Sequence, residues 1–397
     1  MRHLFVTQDY APDLGGMARV HVELCRRFGD DDETTMAVST VAAADAKHFD
    51  EQESYRIDRQ PFPFERAKVF SNQLRWAHWL TSNRSPDFDV LHCGNIRPVG
   101  YAVRWAHRQL RVPYLVYVYG GDLLKERKKA ERSLLKRRTA RSILGHASGI
   151  VAISKWSAEL AQDVMKQVGI DAPPPVATIE LGTDPVRFNA SRDTGALRRR
   201  WGVGDAPLLL TVARVVPHKG QDMGIRAVAA LRRDFPELRY IIVGRGPDEE
   251  RLRALAKELA VSDRVGFVGA MRDDELPEAY ATSTIYLGAS RVESAIDAEG
   301  FGISFVEAAA SGIPSVAGDS GGVRSAVRDG ETGLVVPPTD SDAIADAIRS
   351  LLLNPDRRKQ MGVVGRRAVE THYNWDRVAR EAREFTYRVV GTTKRDA

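Results

Sequence analysis

Two glutamates that flank a Gly-Phe-Gly are the residues whose types and spacing first suggest chemistry. The stretch DAEGFGISFVEAAASGIPSVAG, residues 297–318, places Glu299 and Glu307 eight positions apart. Eight residues are a little over two turns, so an unbroken helix would carry both carboxylates on roughly the same face. Gly300 and Gly302 instead predict that Glu299 lies on a loop and that only Glu307 lies on the helix that follows.

This turn and helix have the character of a ligand site. A glycine-rich turn that opens into a helix leaves backbone N–H groups pointing at whatever lies in front of it. The helix that carries Glu307 is otherwise apolar, and a buried carboxylate is costly unless hydrogen bonds satisfy it. Ribose or sugar hydroxyls would supply those bonds, and so would a neighbouring backbone group or an arginine without any ligand. The stretch predicts a site for a partly anionic ligand that is rich in hydroxyls.

A basic pair follows the strand PLLLTV in the motif ARVVPHKG. Arg214 and Lys219 flank a proline on a loop that enters a helix. A fixed guanidinium and a mobile ammonium near a helix N-terminus can neutralise a diphosphate without a metal. Solvated surface charges are the alternative interpretation of this pair.

Glycine-rich turns follow several other predicted strands. Gly15 and Gly16 precede a helix after the first strand, but the GxGxxG dinucleotide fingerprint is absent, which disfavours a nicotinamide cofactor. Gly244 lies in VGRGP, and Gly269 and Met271 lie in VGAM, where exposed backbone could hydrogen-bond a flat base. Each motif is weak alone, because every strand-to-helix turn favours glycine.

Apolar, β-branched segments alternate with amphipathic helical segments through the whole chain. Such alternation predicts parallel sheets covered on both faces. The pattern starts again after a polar, Gly- and Arg-rich stretch near 190–206. We therefore predict an α/β fold of two Rossmann-like, doubly wound domains that face a cleft, one over 1–190 and one over 200–372, with a last helix over 373–397.

The bulk composition narrows the class of protein. A length of 397 residues exceeds one ordinary core, and 43% hydrophobic with 28% charged residues is typical of a globular protein. No apolar run approaches the ~20 residues of a membrane span, and no signal-peptide pattern precedes the first strand, so we expect a cytoplasmic location. The two cysteines lack metal-ligand spacing, and a net charge of +5 does not indicate nucleic acid.

Several motifs together carry a resemblance to a known family. They are GGMARVHVEL, ARVVPHKG, VGRGP, FVGAM, SRVESAIDAEGFGISFVEAAASG and SGGVRSAVRDGETGLVVPP. In this order and spacing the chain resembles retaining glycosyltransferases of family 4, which have the GT-B fold, and among them phosphatidylinositol mannosyltransferase-like enzymes. The likeness is strongest over about 205–340 and is thinner but continuous over the first half.

The resemblance implies that the domain over 1–190 binds the acceptor, that the domain over 200–372 binds the nucleotide sugar, and that the helix over 373–397 crosses back to the first domain. It also implies a nucleotide-diphosphate sugar as donor and no cofactor or divalent metal. Arg214 and Lys219 would hold the diphosphate, Glu307 the ribose, and Glu299 would lie beside the transferred sugar. The remaining donor contacts would come from Gly15, Gly16, Gly244, Gly269, Met271, and the backbone of Phe301, Gly302 and Ile303. Transfer would proceed with retention, by attack on the face that the diphosphate leaves, so that catalysis is chiefly positioning and leaving-group stabilisation.

One motif departs from the family. Many relatives have a histidine before a Gly-x-acid at the end of the strand that reads YLVYVYG here. In this chain Tyr119 holds the histidine position and Asp122 the acidic one, and both are included among the catalytic candidates. A phenol donates a hydrogen bond but is a poor base at neutral pH. A mechanism that needs an imidazole is thereby put in doubt, and the identity of the sugar stays open.

A basic segment separates this strand from the next. Nine Lys/Arg and three acids lie between Asp122 and Arg141, and the leucines at 123, 124, 134 and 135 predict one apolar side for a single helix. Such a helix can rest on an anionic membrane surface as a peripheral contact, or meet a lipid-phosphate acceptor. It can equally be a solvated face whose leucines pack on the sheet.

The leading prediction is a metal-independent retaining hexosyltransferase that moves mannose from GDP-mannose to a hydroxyl of a lipid, glycan or small-molecule acceptor. UDP-glucose or UDP-N-acetylglucosamine as donor would leave the chemistry unchanged. A sugar-nucleotide epimerase can share two facing Rossmann-like domains but needs acid/base groups at the sugar carbon. The remaining alternative is a non-catalytic nucleotide-sugar-binding protein. The presence of the complete set argues against it, namely Arg214, Lys219, Glu299 and Glu307.

Overall fold

The computed structural model describes residues 1–12, 15–28, 32–39, 44–64, 69–82, 87–293 and 297–393. The chain divides into two compact units. Unit 1 comprises Met1–Glu180 with Trp375–Ala397, and unit 2 comprises Leu181–Asn374. Each unit is built on a parallel sheet, which confirms the predicted α/β class.

Unit 1 contains a seven-stranded sheet in the order β3-β2-β1-β4-β5-β6-β7, and its neighbouring strands are paired in parallel. The central strands are buried almost throughout, as expected for a sheet covered on both faces. Its elements are β1 Arg2–Thr7, α1 Gly16–Arg27, β2 Glu33–Ser39, α2 Ala44–Glu51, β3 Arg56–Gln60, α3 Val69–Leu80, β4 Val90–Cys93, α4 Val99–Leu110, β5 Tyr114–Val118, α5 Gly121–Arg132, α6 Leu134–Gly145, β6 Gly149–Ala152, α7 Lys155–Gln167 and β7 Val176–Thr178.

Unit 2 contains a six-stranded parallel sheet in the order β10-β9-β8-β11-β12-β13. Its core joins sheet residues such as Leu209 and Tyr240 to helix residues such as Val228 and Ile348. Its elements are α8 Ala196–Trp201, β8 Leu208–Val212, α9 Gln221–Leu231, β9 Arg239–Val243, α10 Glu249–Glu258, β10 Val265–Gly269, α11 Leu276–Ala281, β11 Ile285–Gly288, α12 Ile303–Ala310, β12 Ser315–Gly318, α13 Val323–Ala326, β13 Gly333–Val336, α14 Ser341–Leu353 and α15 Pro355–Thr371.

The last helix, α16 (Trp375–Thr393), belongs to unit 1. Phe385 packs so closely on Gly149 of β6 that a Cβ there would lie 2.7 Å from its ring. Arg383 and Tyr387 both donate hydrogen bonds to the buried carboxylate of Asp32, which also accepts one from the N-terminal ammonium. These contacts hold the end of the chain on unit 1. Residues 394–397 of the predicted crossing helix lie outside the described residues.

The boundary between the two units lies nearer the N-terminus than the predicted one at residues 190–200. Residues 181–189 are held within unit 2, because the Thr183 N–H donates to the Tyr373 carbonyl and Arg366 donates to the carbonyls of Pro185 and Phe188. The expected linker near 190–206 is likewise structured. It contains α8, whose Arg198 donates hydrogen bonds to backbone carbonyls at 204, 206 and 282. The stretch near 190–206 is polar because α8 lies at the surface of unit 2.

The local structure differs from the sequence-based expectations in two places. The strand β3 was not expected, because its sequence RIDRQ is polar; it is an edge strand whose Arg59 pairs with Asp50. The basic segment is not one helix with one apolar side, since Ser133 adopts an extended conformation that separates α5 from α6. The leucines at 123 and 124 are buried, whereas those at 134 and 135 are exposed.

Three buried histidines lie in unit 1. His3 Nδ1 is 3.0 Å from His92 Nε2, and His92 Nδ1 is 3.1 Å from Tyr117 Oη. Burial lowers the pKa of His3 and of His21 to about 4, and burial together with the charges of His3 and His21 lowers the pKa of His92 well below its usual value. Unit 1 is therefore built around neutral imidazoles.

Acidification is expected to destabilise unit 1. Between about pH 6.5 and about pH 4 the unfolded chain binds protons on His3 and His21 that the folded chain does not bind, so the free energy of unfolding falls as the pH falls. At about pH 5 the loss is roughly 2 kcal/mol for each of these histidines. Hydrogen exchange of β1 and β4 amides, corrected for intrinsic rates, measures it.

Amides of β9 in unit 2 are the internal reference and should lose less protection, since His218 and His372 of that unit are both partly exposed whereas His3 and His21 are buried. Equal protection of the β1 amides at about pH 7 and at about pH 5 would contradict the expectation.

Candidate functional site

Lys219 and Glu299 form the central contact of the candidate site in unit 2. The Lys219 ammonium donates a hydrogen bond of 2.6 Å to Glu299 Oε2, and the two side chains are only 20% and 14% exposed. Ser290 Oγ donates to the same oxygen at 3.0 Å. The two residues are 80 positions apart and come together because β8 and β11 are neighbouring strands whose carboxyl ends meet at one edge of the sheet. The structure thus joins two residues that the sequence placed in separate motifs.

Charges around Glu299 determine its protonation. Burial alone would raise the pKa of this carboxyl, but the ammonium of Lys219, the hydroxyl of Ser290 and the charge of His218 outweigh burial and lower it below its usual value. Burial and the neighbouring charges of Lys219 and Arg214 lower the pKa of His218, against the opposing effect of Asp297 and Glu299. Glu299 is therefore an anion that keeps a lysine in place.

Arg214 lies on the loop between β8 and the short 3₁₀ turn at 217–219. Its side chain is exposed and forms no ion pair or hydrogen bond within the described ranges. Its backbone is fixed, because Gln221 Nε2 donates to the Arg214 carbonyl at 3.0 Å and Val215 N–H donates to the Arg245 carbonyl. A rigid backbone with an exposed guanidinium is suited to holding an anion.

Close backbone packing shapes this edge of the sheet. Gly220 has φ +70°, and a Cβ at this position would clash with the carbonyl oxygen of Ala289. Gly244 has φ +138°, and a Cβ there would clash with the carbonyl oxygen of Ala213. Both positions therefore require glycine for packing as well as for conformation. Gly244 therefore packs against the backbone of the loop that carries Arg214, and its contact with the donor stays a prediction.

Glu307 lies on α12 and Glu299 on the preceding loop, which confirms the assignment made from the sequence. Glu307 is buried at the helix interior, where Tyr280 Oη donates to its Oε2 at 2.6 Å. The carboxylate is thus hydrogen-bonded within the protein, by a tyrosine where a backbone group or an arginine was considered. Binding of ribose hydroxyls by Glu307 stays a prediction.

The turn before α12 has the expected open geometry. Gly302 is the N-cap with φ +94°, and no side chain caps the helix. The side chain of Phe301 is buried against Tyr373, and Ile303 begins the helix. A Cβ at Gly321 would clash with the Glu299 carbonyl, to which the Gly322 N–H also donates at 2.7 Å. The turn at Gly321 and Gly322 therefore fixes the backbone of Glu299.

The predicted base-facing residues follow β9 and β10. Gly269 has φ +71°, and its backbone carbonyl accepts from the Gly244 N–H at 2.8 Å. The side chain of Met271 is partly exposed on the loop that follows. The two turns are thus hydrogen-bonded to each other next to the Arg214 loop, while the role of Gly269 and Met271 toward a base stays a prediction.

Some residues of this site carried no clear signal in the sequence. Arg291 donates from its backbone N–H to the His218 carbonyl and from its guanidinium to Asp222 at 2.7 Å. It thereby ties the loop after β11 to the start of α9. Tyr280 and Ser290 also escaped prediction, since a single hydroxyl far from its partner has no spacing pattern. Residues 294–296 of the SRVESAIDAEGFG motif lie outside the described residues.

Tyr119 and a histidine meet at the end of β5 in unit 1. The Tyr119 hydroxyl lies 2.9 Å from Nε2 of His21, which α1 contributes from the motif VHVEL. Burial, with the charges around it, raises the pKa of Tyr119 well above its usual value, and His21 is buried beside Gly94. The imidazole of His21 therefore contacts the hydroxyl of Tyr119, the residue at the position of the family histidine. The sequence contained His21 but gave no indication of this contact.

Asp122 is the second residue of α5, the helix that follows this strand. Its Oδ1 accepts from the backbone N–H groups of Tyr119 and Leu123, each at 2.9 Å. Its Oδ2 is buried without a hydrogen-bond partner in the described part of the chain. Burial, aided by the nearby Glu126, raises the pKa of Asp122 to about 6 despite those backbone bonds. The acid helps to hold the turn after β5, and its catalytic role stays a prediction.

Gly15 and Gly16 lie at the start of α1 in unit 1. Gly15 is the N-cap, no side chain caps this helix, and a Cβ at Gly15 would meet nothing within 4 Å. There is open space beside Gly15, and the donor contact of Gly15 and Gly16 stays a prediction. Among the described residues, no cluster of three or more His, Cys, Asp or Glu could hold a metal ion, and no helix is long and apolar enough to cross a membrane.

Two family models match the chain, one for each sheet. The model described as Glycosyltransferase Family 4 matches residues 14–187, and that described as Glycosyl transferases group 1 matches residues 193–368. Together the two matches define a glycosyltransferase of the two-domain type. The chain belongs to the family 4 glycosyltransferases of group 1, and it is an enzyme of that class.

Relatives and solved structures agree with this membership. The chain is 30% identical over 395 residues, 97% of each chain, to the GDP-mannose-dependent alpha-(1-6)-phosphatidylinositol monomannoside mannosyltransferase of Mycobacterium tuberculosis. It is 34% identical over 59% of its length, and 53% of the relative's, to a D-inositol 3-phosphate glycosyltransferase of Acidothermus cellulolyticus. Its fold is similar to that of HepE from Anabaena, solved with UDP and glucose, with a TM-score of 0.76 at 20% identity over 97% and 99% of the two chains.

Replacing Gly220 by alanine is expected to destabilise unit 2 and displace the Lys219 loop, because the new Cβ would clash with the Ala289 carbonyl. Gly312→Ala is the matched control, since φ is +76° there but a Cβ would meet nothing within 4 Å. The control should lose about 1 kcal/mol and Gly220→Ala roughly 3 kcal/mol or more in urea-induced unfolding. Equal losses in the two variants would show that close packing at Gly220 is unimportant.

Proposed function

We propose that this glycosyltransferase transfers mannose, with retention, from GDP-mannose to a hydroxyl of an anionic glycolipid, without a divalent metal. The observation that carries the proposal is the cluster of Arg214, Lys219 and Glu299 at the strand ends of unit 2, in a chain aligned over 97% of its length with a GDP-mannose-dependent glycolipid mannosyltransferase. The cluster supports the diphosphate chemistry, and the relative supports the choice of sugar and acceptor.

The proposed roles follow from the contacts of each side chain. The exposed guanidinium of Arg214 and the ammonium of Lys219 would bind the diphosphate, and Glu299 would keep Lys219 oriented while its second oxygen faces the sugar. Backbone N–H groups at Gly302 and Ile303 would contact the phosphate or sugar hydroxyls, because the N-terminus of α12 is uncapped by any side chain. Glu307 would share its carboxylate between Tyr280 and the ribose.

The proposed transfer needs no separate general acid or general base. The bond between the sugar's anomeric carbon and the diphosphate oxygen breaks, and a bond from the acceptor oxygen to that carbon forms on the same face. The acceptor's proton passes to the leaving diphosphate oxygen, giving GDP and the mannosylated acceptor. The positive charges of Arg214 and Lys219 would stabilise the leaving group as it develops charge.

Unit 1 would receive the acceptor. The proposal places the enzyme at the cytoplasmic face of an anionic membrane, since a glycolipid acceptor is held in a bilayer, with the basic segment 122–141 toward that surface. Tyr119, supported by His21, and Asp122 stand at the carboxyl end of β5, where acceptor hydroxyls would be bound.

A donor panel tests the proposed function. GDP-mannose, UDP-glucose and UDP-N-acetylglucosamine are each incubated with the protein and mixed glycolipid acceptors, and the released nucleoside diphosphate is measured. GDP-mannose is expected to give the highest turnover. Preference for a UDP-sugar would retain the transferase chemistry and reject the donor, and release from no sugar nucleotide would reject the proposal.

Removing either member of the central ion pair should abolish turnover. Lys219→Ala and Glu299→Ala are each expected to lower kcat by roughly 100-fold or more, because a preorganised charge at the leaving group is lost. Arg349→Ala is the control: it removes surface ion pairs with Asp234 and Asp346 in the same unit, each worth ~1 kcal/mol or less. Wild-type turnover in both site variants, with unchanged melting, would contradict the assignment.

Turnover should not depend on a divalent cation. The proposal assigns the neutralisation of the diphosphate to Arg214 and Lys219, so excess EDTA is expected to leave kcat within about twofold of its value in magnesium. Loss of activity in EDTA that magnesium or manganese restores would reject this part of the proposal.

A further inference from the structure

Arg245 of the VGRGP motif carries an exposed guanidinium just beyond the carboxyl end of β9. Within the ranges that the structure describes, this side chain forms no ion pair or hydrogen bond. The two acids that follow it closely are engaged elsewhere. Asp248 accepts from Arg251 at 2.6 and 2.7 Å, and Glu249 accepts from Arg253 at 2.8 and 3.0 Å. The guanidinium of Arg245 can therefore bind a ligand without giving up a contact.

The backbone of Arg245 is fixed although its side chain is exposed. The Val215 N–H donates to the Arg245 carbonyl at 2.9 Å. The glycines on both sides pack against the loop after β8, since a Cβ at Gly244 or at Gly246 would clash with a backbone carbonyl of that loop. The backbone that carries this guanidinium therefore needs no rearrangement when a ligand binds.

The turns at this edge of the sheet follow one another in the order of the parts of a nucleotide sugar. The neighbouring strands are β10, β9, β8 and β11. Gly269 ends β10, Arg245 follows β9, Arg214 and Lys219 follow β8, and Glu299 lies on the loop after β11. A donor whose sugar lies beside Glu299 and whose diphosphate lies at the turn after β8 would extend its base to the turns after β9 and β10.

Arg245 lies directly beside the turn after β10. A Cβ on Gly269 would be 3.7 Å from Arg245 Nε, so the guanidinium lies next to a residue without a side chain. The Gly269 carbonyl accepts from the Gly244 N–H at 2.8 Å, and the partly exposed side chain of Met271 comes two residues later. A fork of N–H donors beside open backbone suits a planar base that presents acceptors at its edge.

The hydrogen-bonding groups of the bases determine which nucleotide such an arginine suits. Guanine presents two acceptors on one edge, O6 and N7, and an arginine fork can donate to both. Adenine presents N7 beside an amino group, which is a donor and opposes the second N–H of the fork. Uracil presents a single carbonyl on the corresponding edge. An arginine at this place would therefore favour guanine over adenine and uracil.

We propose that Arg245 selects guanine as the base of the donor, by donating two hydrogen bonds from its guanidinium to O6 and N7. This assignment rests on the proposed function, in which GDP is the leaving nucleotide, and it names a residue that chooses the base. Binding of a nucleoside diphosphate needs neither sugar nor acceptor, so selection of the base is measured separately from transfer.

Calorimetric titration with a set of nucleoside diphosphates tests this role of Arg245. GDP, ADP, UDP and deaza-GDP, in which carbon replaces N7, are titrated into the wild type, Arg245→Ala and Arg245→Lys. The wild type is expected to bind GDP roughly tenfold more tightly than ADP or UDP, and roughly fivefold more tightly than deaza-GDP. Arg245→Ala should bind GDP roughly tenfold more weakly and change its affinity for UDP and deaza-GDP by less than about threefold. Arg245→Lys should behave as Arg245→Ala does, because an ammonium keeps the charge but lacks the fork.

Arg233→Ala is the matched control. Arg233 is also an exposed arginine of unit 2, and its side chain has no hydrogen bond or ion pair with any residue that the structure describes. It lies beyond the end of α9, on the connection that leads into the amino end of β9, away from the strand ends that carry the site. This variant should bind all four nucleotides as the wild type does, and every variant is checked for unchanged melting.

Several results would overturn the role of Arg245. Equal losses of affinity for GDP, UDP and deaza-GDP in Arg245→Ala would indicate a contact with the diphosphate instead of the base. Unchanged GDP affinity in that variant, or an equal loss in Arg233→Ala, would show that Arg245 does not contact guanine. Wild-type protein that binds UDP as tightly as GDP, or binds no nucleoside diphosphate, would also reject the role.

Calorimetry and the donor panel separate this role from the proposed function. Guanine selection that Arg245→Ala removes, with no transfer from any sugar nucleotide, would reject the function and retain the role of Arg245. Transfer from GDP-mannose with an equal kcat/KM in the wild type and in Arg245→Ala would reject the role and retain the function.

Discussion

The contact between Lys219 and Glu299 is the interaction on which the candidate site depends. A lysine ammonium on a flexible stem has many conformations, and an ion pair of 2.6 Å with a carboxylate that Ser290 also holds reduces them to one. Because the pair is only partly exposed, its charges are less screened than those of surface pairs. A positive charge fixed in this way at the strand ends is a preorganised site for a diphosphate.

Backbone contacts on both sides of this ion pair hold Lys219 and Glu299 in position. Lys219 is followed by Gly220, whose backbone packs against the Ala289 carbonyl so closely that no Cβ would fit. The Arg291 N–H donates to the His218 carbonyl and so holds the loop after β11 against the Lys219 turn. Glu299 is fixed from its other side by the Gly321-Gly322 turn. Backbone packing at glycines, rather than a large set of side-chain bonds, thus sets the distance between the two charged groups. Unit 1 has a different character, since its sheet buries neutral histidines and its strand ends present a phenol and a carboxyl of raised pKa.

Much of this architecture was predictable because buried parallel strands have a strong sequence pattern. All six strands of unit 2 coincide with apolar segments, and Glu299 and Glu307 lie on the loop and helix that their glycines indicate. Prediction failed where tertiary contacts override local pattern. β3 is polar because it is an edge strand, and Ser133 breaks a segment whose composition favours one helix. The hydroxyls that satisfy the two glutamates, and the contact of His21 with Tyr119, depend on distant chain segments for which spacing gives no information.

A crystal structure of the protein with GDP tests most directly whether Lys219 and Arg214 bind the diphosphate. The account predicts the β-phosphate within hydrogen-bond distance of the Lys219 ammonium and the Arg214 guanidinium, with ribose hydroxyls at Glu307 and the Lys219–Glu299 pair retained. GDP bound away from the carboxyl ends of β8 and β11, or a diphosphate that contacts neither Lys219 nor Arg214, would contradict it.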